Sequence, residues 1–336
     1  YNLGAWGGIV RLQDAKLETE RCDASLSLTG KTKKDDYMVR TFYSKLDKFR
    51  FLPYTALAKE YGETNKYSIW GIEAKNSHKV NGDHTLTYGT EYDRYDVDGV
   101  NFGKDGDNGK NLNTYAAYIQ DEWLLGDKWE IIPAVRYDHH SEFGSKTTPH
   151  IGVTYLANDH NRFKANWGEG YKAPSVSELY MDYTHMGVLT LGNPNLRPEE
   201  SKNWDLSYEG EWGKTFGKIT YFHNDIDNMI STRTVGGRHG YNEYYNIDGT
   251  TKTHGVELTL GRKLSRDLDV KVTSNWTSAS NKVASAESSA HGVDGIADNI
   301  TTLQLAYDDH RAYGYNATLW EQWVHDYYES YSSQTY

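Results

Sequence analysis

The feature that most constrains the fold is an alternation of polar and apolar residues that recurs along most of the chain. In residues 21–30, for example, Leu26 and Leu28 fall on one side while Ser25 and Ser27 fall on the other. A period of two residues is typical of a β-strand with two unlike faces, and no segment of about ten or more residues shows the period of a helix. The sequence therefore predicts an all-β protein.

Tight turns and long loops alternate between the predicted strands. Asn81-Gly82 is a favoured hairpin turn, whereas residues 50–64, 97–111 and 168–200 are long and irregular. The two ends of one sheet would then differ, with short turns at one end and long loops, where binding is usually placed, at the other. About fifteen strands are predicted, at 4–12, 21–30, 37–49, 66–79, 83–96, 114–124, 129–138, 148–156, 162–171, 202–212, 218–228, 255–263, 269–278, 301–307 and 311–324.

Composition narrows the class of protein. The mean hydropathy is −0.79, so the chain holds no apolar run long enough for a membrane-spanning helix. That value is compatible with a membrane β-barrel, in which lipid-facing and lumen-facing residues alternate along each strand. The net charge of −11 argues against nucleic acid as a partner. The single cysteine, Cys22, excludes an intrachain disulfide.

Strand length and aromatic residues favour a membrane barrel over a soluble all-β protein. The predicted strands are about nine to fourteen residues long, and about nine to eleven tilted residues cross a bilayer. Trp123, Trp129 and Trp212 lie next to tight turns, where an outer-membrane barrel carries an aromatic girdle. A soluble propeller or sandwich has shorter strands, and the propeller's sequence repeat of about 40–50 residues is not found here.

The segment at 129–138 illustrates the two expected faces. The residues expected to face lipid are Ile131, Val135 and Tyr137, and those expected to face the lumen are Arg136 and Asp138. Pro133 conflicts with this strand, because proline removes one hydrogen bond from the ladder. The alternation nevertheless predicts a strand here.

Six motifs occur in a fixed order. They are Tyr115–Trp123 (YAAYIQDEW), Val135–Asp138 (VRYD), Gly168–Pro174 (GEGYKAP), Gly192–Glu199 (GNPNLRPE), Tyr221–Ile230 (YFHNDIDNMI) and Tyr245–Leu258 (YYNIDGTTKTHGVEL). Each is modest alone, but the set resembles the C-terminal β-barrel of TonB-dependent outer-membrane receptors. The resemblance is clear over about residues 110–280 and rests on strand rhythm outside that range.

The resemblance implies a transmembrane antiparallel barrel of 22 strands, closed by an N-terminal plug domain, in the outer membrane of a Gram-negative-type cell. Such receptors are not enzymes and import a scarce chelate with energy passed through TonB. Residues 1–336 would be the barrel domain, incomplete at both ends and without the plug. The implied partners are a small-molecule metal chelate, outer-membrane lipid and TonB through the plug, with no nucleic acid and no resident cofactor.

The loop between two of these motifs is the candidate ligand site. It runs from Tyr171-Lys172-Ala173-Pro174 to Asn193-Pro194-Asn195-Leu196 and contains His185. In heme receptors of this family, the loop between a FRAP-like and an NPNL-like motif carries a histidine that ligates heme iron, and imidazole is a common axial ligand. Here Tyr-Lys replaces Phe-Arg, and YKAP also occurs in siderophore and cobalamin receptors.

Aromatic and basic residues near this loop extend the candidate site. Tyr180 and Tyr183 are expected to face a planar ligand, and Tyr244 and Tyr245 to stack on it or hydrogen bond to it. Two arginines of the next loop would attract an anionic chelate. They are Arg233 and Arg238.

The residues leave several ligands and functions open. The ligand would be a ferric siderophore or heme, with cobalamin as the alternative within the family. From other classes, a passive porin and an outer-membrane barrel enzyme are weighed, but no Ser-His or Asp-His grouping stands out. Residues 97–111 carry enough carboxylates for calcium without the spacing of an EF-hand. Apart from heme iron at His185, no metal site is predicted.

Overall fold

A computed structural model describes residues 2–5, 8–11, 16–54, 59–102, 109–185, 188–236, 240–281, 296–329 and 334–335. The strands of its first half are β1 (Asn2–Ala5), β2 (Gly8–Arg11), β3 (Lys16–Lys31), β4 (Asp35–Tyr54), β5 (Lys59–Lys79), β6 (His84–Gly99), β7 (Lys110–Leu125), β8 (Trp129–His140), β9 (Gly144–Asn158) and β10 (Asn161–Lys172). A 3-10 turn occupies Val100–Phe102, and one short helix, α1, occupies Val176–Tyr180.

The remaining strands are β11 (Asp182–His185), β12 (Val188–Leu191), β13 (Glu199–Trp212), β14 (Thr215–Asp227), β15 (Ile230–Val235), β16 (Tyr241–Asn246), β17 (Thr250–Lys263), β18 (Leu268–Asn281), β19 (Ala297–Asp308), β20 (Asn316–Glu329) and β21 (Gln334–Thr335). Fifteen strands form one sheet in the order β21-β20-β19-β18-β17-β14-β13-β10-β9-β8-β7-β6-β5-β4-β3. Neighbouring strands of this sheet are antiparallel, and β21 contributes only two residues. The all-β prediction is confirmed. Of the described residues, no helix reaches the length and hydropathy that crossing a membrane requires.

Two local predictions are wrong. The strand predicted at 4–12 is a hairpin in its described part, since Gly4 lies opposite Ile9 in the β1–β2 pair. The loop predicted at 50–64 is mostly strand, because β4 and β5 stay paired out to Tyr54 and Lys59. Alternation is weak in both segments, and cross-strand pairing extends strands beyond the residues that alternate.

Aromatic residues form two rows on one face of the sheet, called here the apolar face. One row, near the long loops, joins Trp70 to Tyr92 at 5.4 Å and Tyr92 to Tyr115 at 4.8 Å between ring centroids. Trp204 lies opposite His223, and the two rings stack at 5.7 Å. Residues directly opposite in an antiparallel pair point to the same face. The row therefore runs across several strands.

The second row lies next to the tight turns and contains the predicted girdle residues. Trp129 packs on Tyr155 at 4.5 Å, and Trp212 packs on Tyr208 at 6.1 Å. Trp123 stacks on the imidazole of His84 at 5.6 Å. Tyr115 and Trp123 are eight residues apart on β7, about 27 Å along a strand. For a strand tilted by about 35–45°, that is about 19–22 Å across a bilayer, close to the apolar band of an outer-membrane barrel.

The opposite face is polar and carries compensated charges. Arg136 contacts Glu91 at 2.7 Å and Asp138 at 2.9 Å, and Arg40 contacts Glu73 at 2.9 Å. The predicted division of β8 is confirmed, since the carboxylates that Arg136 binds lie on this face while Val135 and Tyr137 are exposed on the other. Strand β8 therefore has one ionic and one apolar side.

Pro133 is accommodated by a gap in one ladder. Strand β8 pairs with β7 at Gln120–Ala134 and again at Trp123–Ile131, with no pairs between them. On its other side Pro133 still lies opposite Ile151 of β9. The missing N–H of proline therefore faces the interrupted β7 side, which resolves the conflict noted in the sequence.

Candidate functional site

Two long connections fold into a second, smaller sheet at one end of the large one. Residues 173–198 contribute β11 and β12, and residues 228–249 contribute β15 and β16. The strand order is β11-β12-β16-β15, with β12 and β16 parallel through Thr190–Asn242 and Leu191–Glu243. We call residues 173–198 and 228–249 the mouth layer. Both segments were expected to be irregular, and pairing with each other gives them strand structure.

Helix α1 begins at a capping box. The backbone N–H of Glu178 donates to Ser175 Oγ at 3.3 Å, and the backbone N–H of Ser175 donates to Glu178 Oε2 at 2.6 Å. This reciprocal pair satisfies two N–H groups that a helix start leaves without partners. Lys172 Nζ lies 3.2 Å from Glu199 Oε1 and 3.6 Å from Glu178 Oε1. The YKAP lysine therefore ties the start of this loop to its end.

A buried hydrophobic cluster supports the mouth layer. Leu179 of α1 is 2% exposed and Leu196 of the NPNL motif is 3% exposed. The full cluster consists of Val97, Phe102, Leu112, Val176, Leu179, Leu196 and Ile230, with Tyr67, Phe143, Tyr180 and Tyr244 packed against it. Its members come from the long-loop ends of the large sheet as well as from both segments of the layer. Sequence reasoning missed Phe102, Phe143 and Tyr67, because nothing local marks them as core.

The GNPN turn passes directly against the end of α1. Gly192 donates its N–H to the Met181 carbonyl at 2.6 Å, and Asn193 donates its N–H to the Glu178 carbonyl at 2.8 Å. A Cβ at Gly192 would lie 2.5 Å from the backbone nitrogen of Tyr180. The motif therefore needs glycine here for close approach of two backbone segments, with no positive φ involved.

The candidate ligand residues occupy different positions in the layer. Tyr180 packs at the edge of the cluster, with Lys110 Nζ 5.5 Å from its ring centroid. Burial, aided by the nearby Glu142 carboxylate, raises the pKa of the Tyr180 phenol above its usual value. The hydroxyl therefore stays protonated at neutral pH, where it can act as a donor. Tyr183 is half-buried on β11, opposite Thr190.

The charge of Arg233 is already compensated. Its guanidinium donates to Glu243 Oε1 at 2.8 and 2.6 Å and lies 4.8 Å from the ring centroid of Tyr245. This pairing weakens the expectation that Arg233 attracts an anionic ligand. Tyr244 packs against the cluster and accepts a hydrogen bond on its carbonyl from Asn193 Nδ2 at 3.1 Å. The structure thus brings Asn193, Tyr244, Tyr245 and Arg233 into one layer.

His185 is the last residue of β11, at the turn of the β11–β12 hairpin. Its backbone lies in the mouth layer, and its side chain lies outside what the structure describes. Arg238 falls outside the described residues, as do residues 103–108 of the acidic loop considered for calcium. Among the described residues, no group of three His, Cys, Asp or Glu side chains is arranged to hold a metal ion.

His139 and His140 at the rim differ from each other. His140 is 4% exposed and its Nδ1 accepts the backbone N–H of Glu142 at 3.1 Å, while its ring packs on Phe143 at 5.0 Å. The ring of His139 lies 6.2 Å, between centroids, from that of Tyr115 in the aromatic row near the long loops. His140 therefore supports the turn between β8 and β9.

Comparison with known proteins gives the family. The model of the family described as "TonB dependent receptor-like, beta-barrel" matches residues 2–336. The chain belongs to the TonB-dependent receptors, through their β-barrel domain, and is an outer-membrane protein of the Gram-negative type. The apolar face of the sheet is therefore its lipid face, and the polar face lines the lumen.

Relatives in sequence are vitamin B12 transporters named BtuB. The one from Vibrio vulnificus is 27% identical over 201 residues, which is 59% of this chain and 30% of that protein. The one from Photobacterium profundum is 30% identical over 148 residues, which is 44% of this chain and 23% of that protein. The chain spans less than a third of the length of these relatives.

Solved structures with this fold include siderophore receptors. The ferric enterobactin receptor PfeA of Pseudomonas aeruginosa, in complex with enterobactin, superposes with a TM-score of 0.74 at 19% identity, covering 92% of this chain and 50% of that one. The siderophore receptor PirA of the same species has a TM-score of 0.67 at 17% identity, covering 91% and 63%. These similarities establish the fold.

Replacing Gly192 with alanine tests the packing of the GNPN turn. The added methyl group meets backbone atoms of Leu179 and Tyr180 at 2.6 and 2.5 Å, so the turn must shift, at a cost of about 1–3 kcal/mol. We expect Gly192→Ala to accelerate limited proteolysis within residues 173–198 of the full-length receptor. Gly82→Ala, where the methyl group meets nothing within 4 Å, is the control. Equal cleavage rates for both variants would contradict this account of the motif.

Proposed function

We propose that this chain forms the barrel wall and ligand-binding mouth of a receptor for TonB-energised import of a metal chelate. The observation that carries the proposal is the mouth layer itself. Two long loops are folded into one sheet over a buried cluster, and they present tyrosines at the end of a barrel wall. Ordered loops on a rigid sheet are a common setting for binding.

Two other classes explain these features less well. A passive porin needs a wide aqueous path, and an internally bonded layer over one end would obstruct it. An outer-membrane enzyme needs a nucleophile or acid pair beside a base, and the relatives are receptors and transporters. Both points favour import of a bound ligand over diffusion or catalysis.

Three cargoes fit a mouth lined by tyrosines. A ferric siderophore is supported by the fold shared with the enterobactin complex, although the pairing of Arg233 with Glu243 reduces the cation available to a strongly anionic chelate. Cobalamin is supported by the BtuB sequences. Heme depends on His185 as an axial ligand, with Tyr180 and Tyr183 beside the porphyrin. We rank the ferric siderophore and cobalamin above heme.

The remaining partners follow from the same proposal. The two aromatic rows of the lipid face match the two interfaces of the outer membrane. TonB would act through a plug domain that lies outside this chain. Inward-facing pairs such as Arg136 with Glu91 line the lumen that such a domain would fill.

Uptake with and without TonB tests the proposal. The full-length receptor is expressed in cells that lack their own receptors, and uptake of radiolabelled cyanocobalamin, ferric enterobactin and hemin is measured. We expect one chelate to accumulate, and its accumulation to be lost when TonB is deleted. A strain carrying an unrelated porin in place of the receptor is the control. Unchanged uptake of that chelate in the TonB deletion would show that the protein is a passive channel.

Hemin binding tests the role of His185. If imidazole ligates heme iron, the purified full-length receptor shifts the hemin Soret band. His185→Ala should then reduce this shift and lower the affinity for hemin at least about tenfold, because a direct ligand bond is lost. His160→Ala, in the tight turn at the opposite end of the sheet, is the matched control. Identical spectra from the two variants and the parent would remove His185 from the site.

A further inference from the structure

One side chain of the mouth layer forms hydrogen bonds to backbone groups of both its segments. Asn246, the last residue of β16, accepts the backbone N–H of Arg197 on Oδ1 at 2.8 Å. Its Nδ2 donates to the Arg197 carbonyl at 2.9 Å and to the Asn228 carbonyl at 2.7 Å. An amide side chain offers two N–H donors and one oxygen acceptor. Both donors and the oxygen of Asn246 are therefore engaged, all with backbone groups.

These bonds link the two loops of the layer, which are far apart in sequence. Arg197 lies near the end of the first loop, Asn228 begins the second, and Asn246 ends the last strand of the second. One further contact lies at this boundary between the two loops, since Asn193 Nδ2 donates to the Tyr244 carbonyl at 3.1 Å. Beside it, the N–H of Ile230 donates at 2.8 Å to Oε1 of Glu199, the first residue of β13. The boundary also includes the parallel β12–β16 pair, which has only two residue pairs.

So short a parallel pair does not by itself fix one loop on the other, because each strand is only four or six residues long and parallel pairing is slightly weaker per residue than antiparallel. The side chain of Asn246 adds two hydrogen bonds between the loops, both to Arg197, and a third to Asn228 that closes the second loop on itself. Beneath them Leu196 and Ile230, one from each segment, meet in the buried cluster. The two loops are therefore joined by a hydrophobic contact beneath the layer and by the hydrogen bonds of Asn246 at its edge.

We propose that Asn246 is a positioning residue that makes the two loops move as one body. A ligand that contacts one loop would then also change the position of the other. This inference rests on the proposed function of the layer as the ligand-binding mouth. The candidate ligand residues are divided between the loops, with Tyr180, Tyr183 and His185 on the first and Arg233, Tyr244 and Tyr245 on the second. Their relative positions are fixed only while the loops remain joined.

The full-length receptor offers a test that needs no ligand. Spin labels at Thr184→Cys and Thr232→Cys, which are exposed positions on the two loops, report the distance between them, with the exposed free thiol removed by Cys22→Ser. We expect a narrow distance distribution in the parent and a broad one in Asn246→Ala. Asn246→Asp keeps the acceptor for the Arg197 N–H but sets a carboxylate oxygen against the Arg197 and Asn228 carbonyls in place of the donors, so it should broaden the distribution at least as much as Asn246→Ala.

The matched control is Asn242→Ala on the same strand, since the side-chain oxygen of Asn242 accepts a hydrogen bond from Thr234 within the hairpin and, among the described residues, makes no side-chain bond to the first loop. A disulfide between Thr190→Cys and Asn242→Cys, which lie opposite each other across the boundary, should restore the narrow distribution in Asn246→Ala. The inference is overturned if Asn246→Ala leaves the distribution as narrow as in the parent. It is also overturned if Asn242→Ala broadens it equally, or if the disulfide fails to restore it.

Ligand binding gives a second readout. With cyanocobalamin and ferric enterobactin as probes, we expect Asn246→Ala to weaken binding by about tenfold and the disulfide to recover it. Binding of a probe at unchanged affinity by Asn246→Ala, despite a broadened distribution, would separate loop coupling from ligand binding and overturn the inference. Failure of the parent to bind any chelate would count against the proposed function, whereas the distance measurement would still decide whether Asn246 couples the loops.

Discussion

Inside a lipid bilayer, every backbone N–H and C=O must find a partner within the protein. The remaining features of this chain depend on that constraint. Fourteen long strands pair with their neighbours through nearly continuous ladders, and even the proline of β8 turns its missing donor toward a gap. With the backbone satisfied in this way, side chains are free to divide between an apolar face with two aromatic rows and a polar face of ion pairs.

A sheet of this kind has no interior of its own, since one face meets lipid and the other a lumen. Packing against a buried cluster is therefore concentrated where the chain folds over an end of the sheet. Leu179, Leu196 and Ile230 of the mouth layer meet Val97 and Leu112 at the long-loop ends of β6 and β7. The same loops carry the tyrosines proposed to contact a ligand, so the part that binds is also the part with a conventional core.

Much of the barrel wall could be predicted because its signal is local. Alternation and turn residues identify β13 and β14 within three residues of their observed ends, and Arg136 and Val135 fall on the expected faces. The mouth layer could not be predicted in the same way. Its two hairpins are joined through β12 and β16, which lie about fifty residues apart in the chain, and a parallel pair between two loops leaves no period in either one. Ser175 and Glu178 did carry a readable capping signal, but a five-residue helix is too short for its buried face to show.

The measurement that most directly tests the central claim, a mouth layer folded as one unit on the sheet, is amide hydrogen exchange of the ligand-free full-length receptor. The amides of Leu179, Gly192 and Ile247 each donate to a backbone carbonyl within the layer. The account predicts that they exchange at least about a hundredfold more slowly than unstructured peptide and with a common opening free energy. Exchange at the rate of unstructured peptide, or with clearly different opening free energies in the two loops, would contradict it.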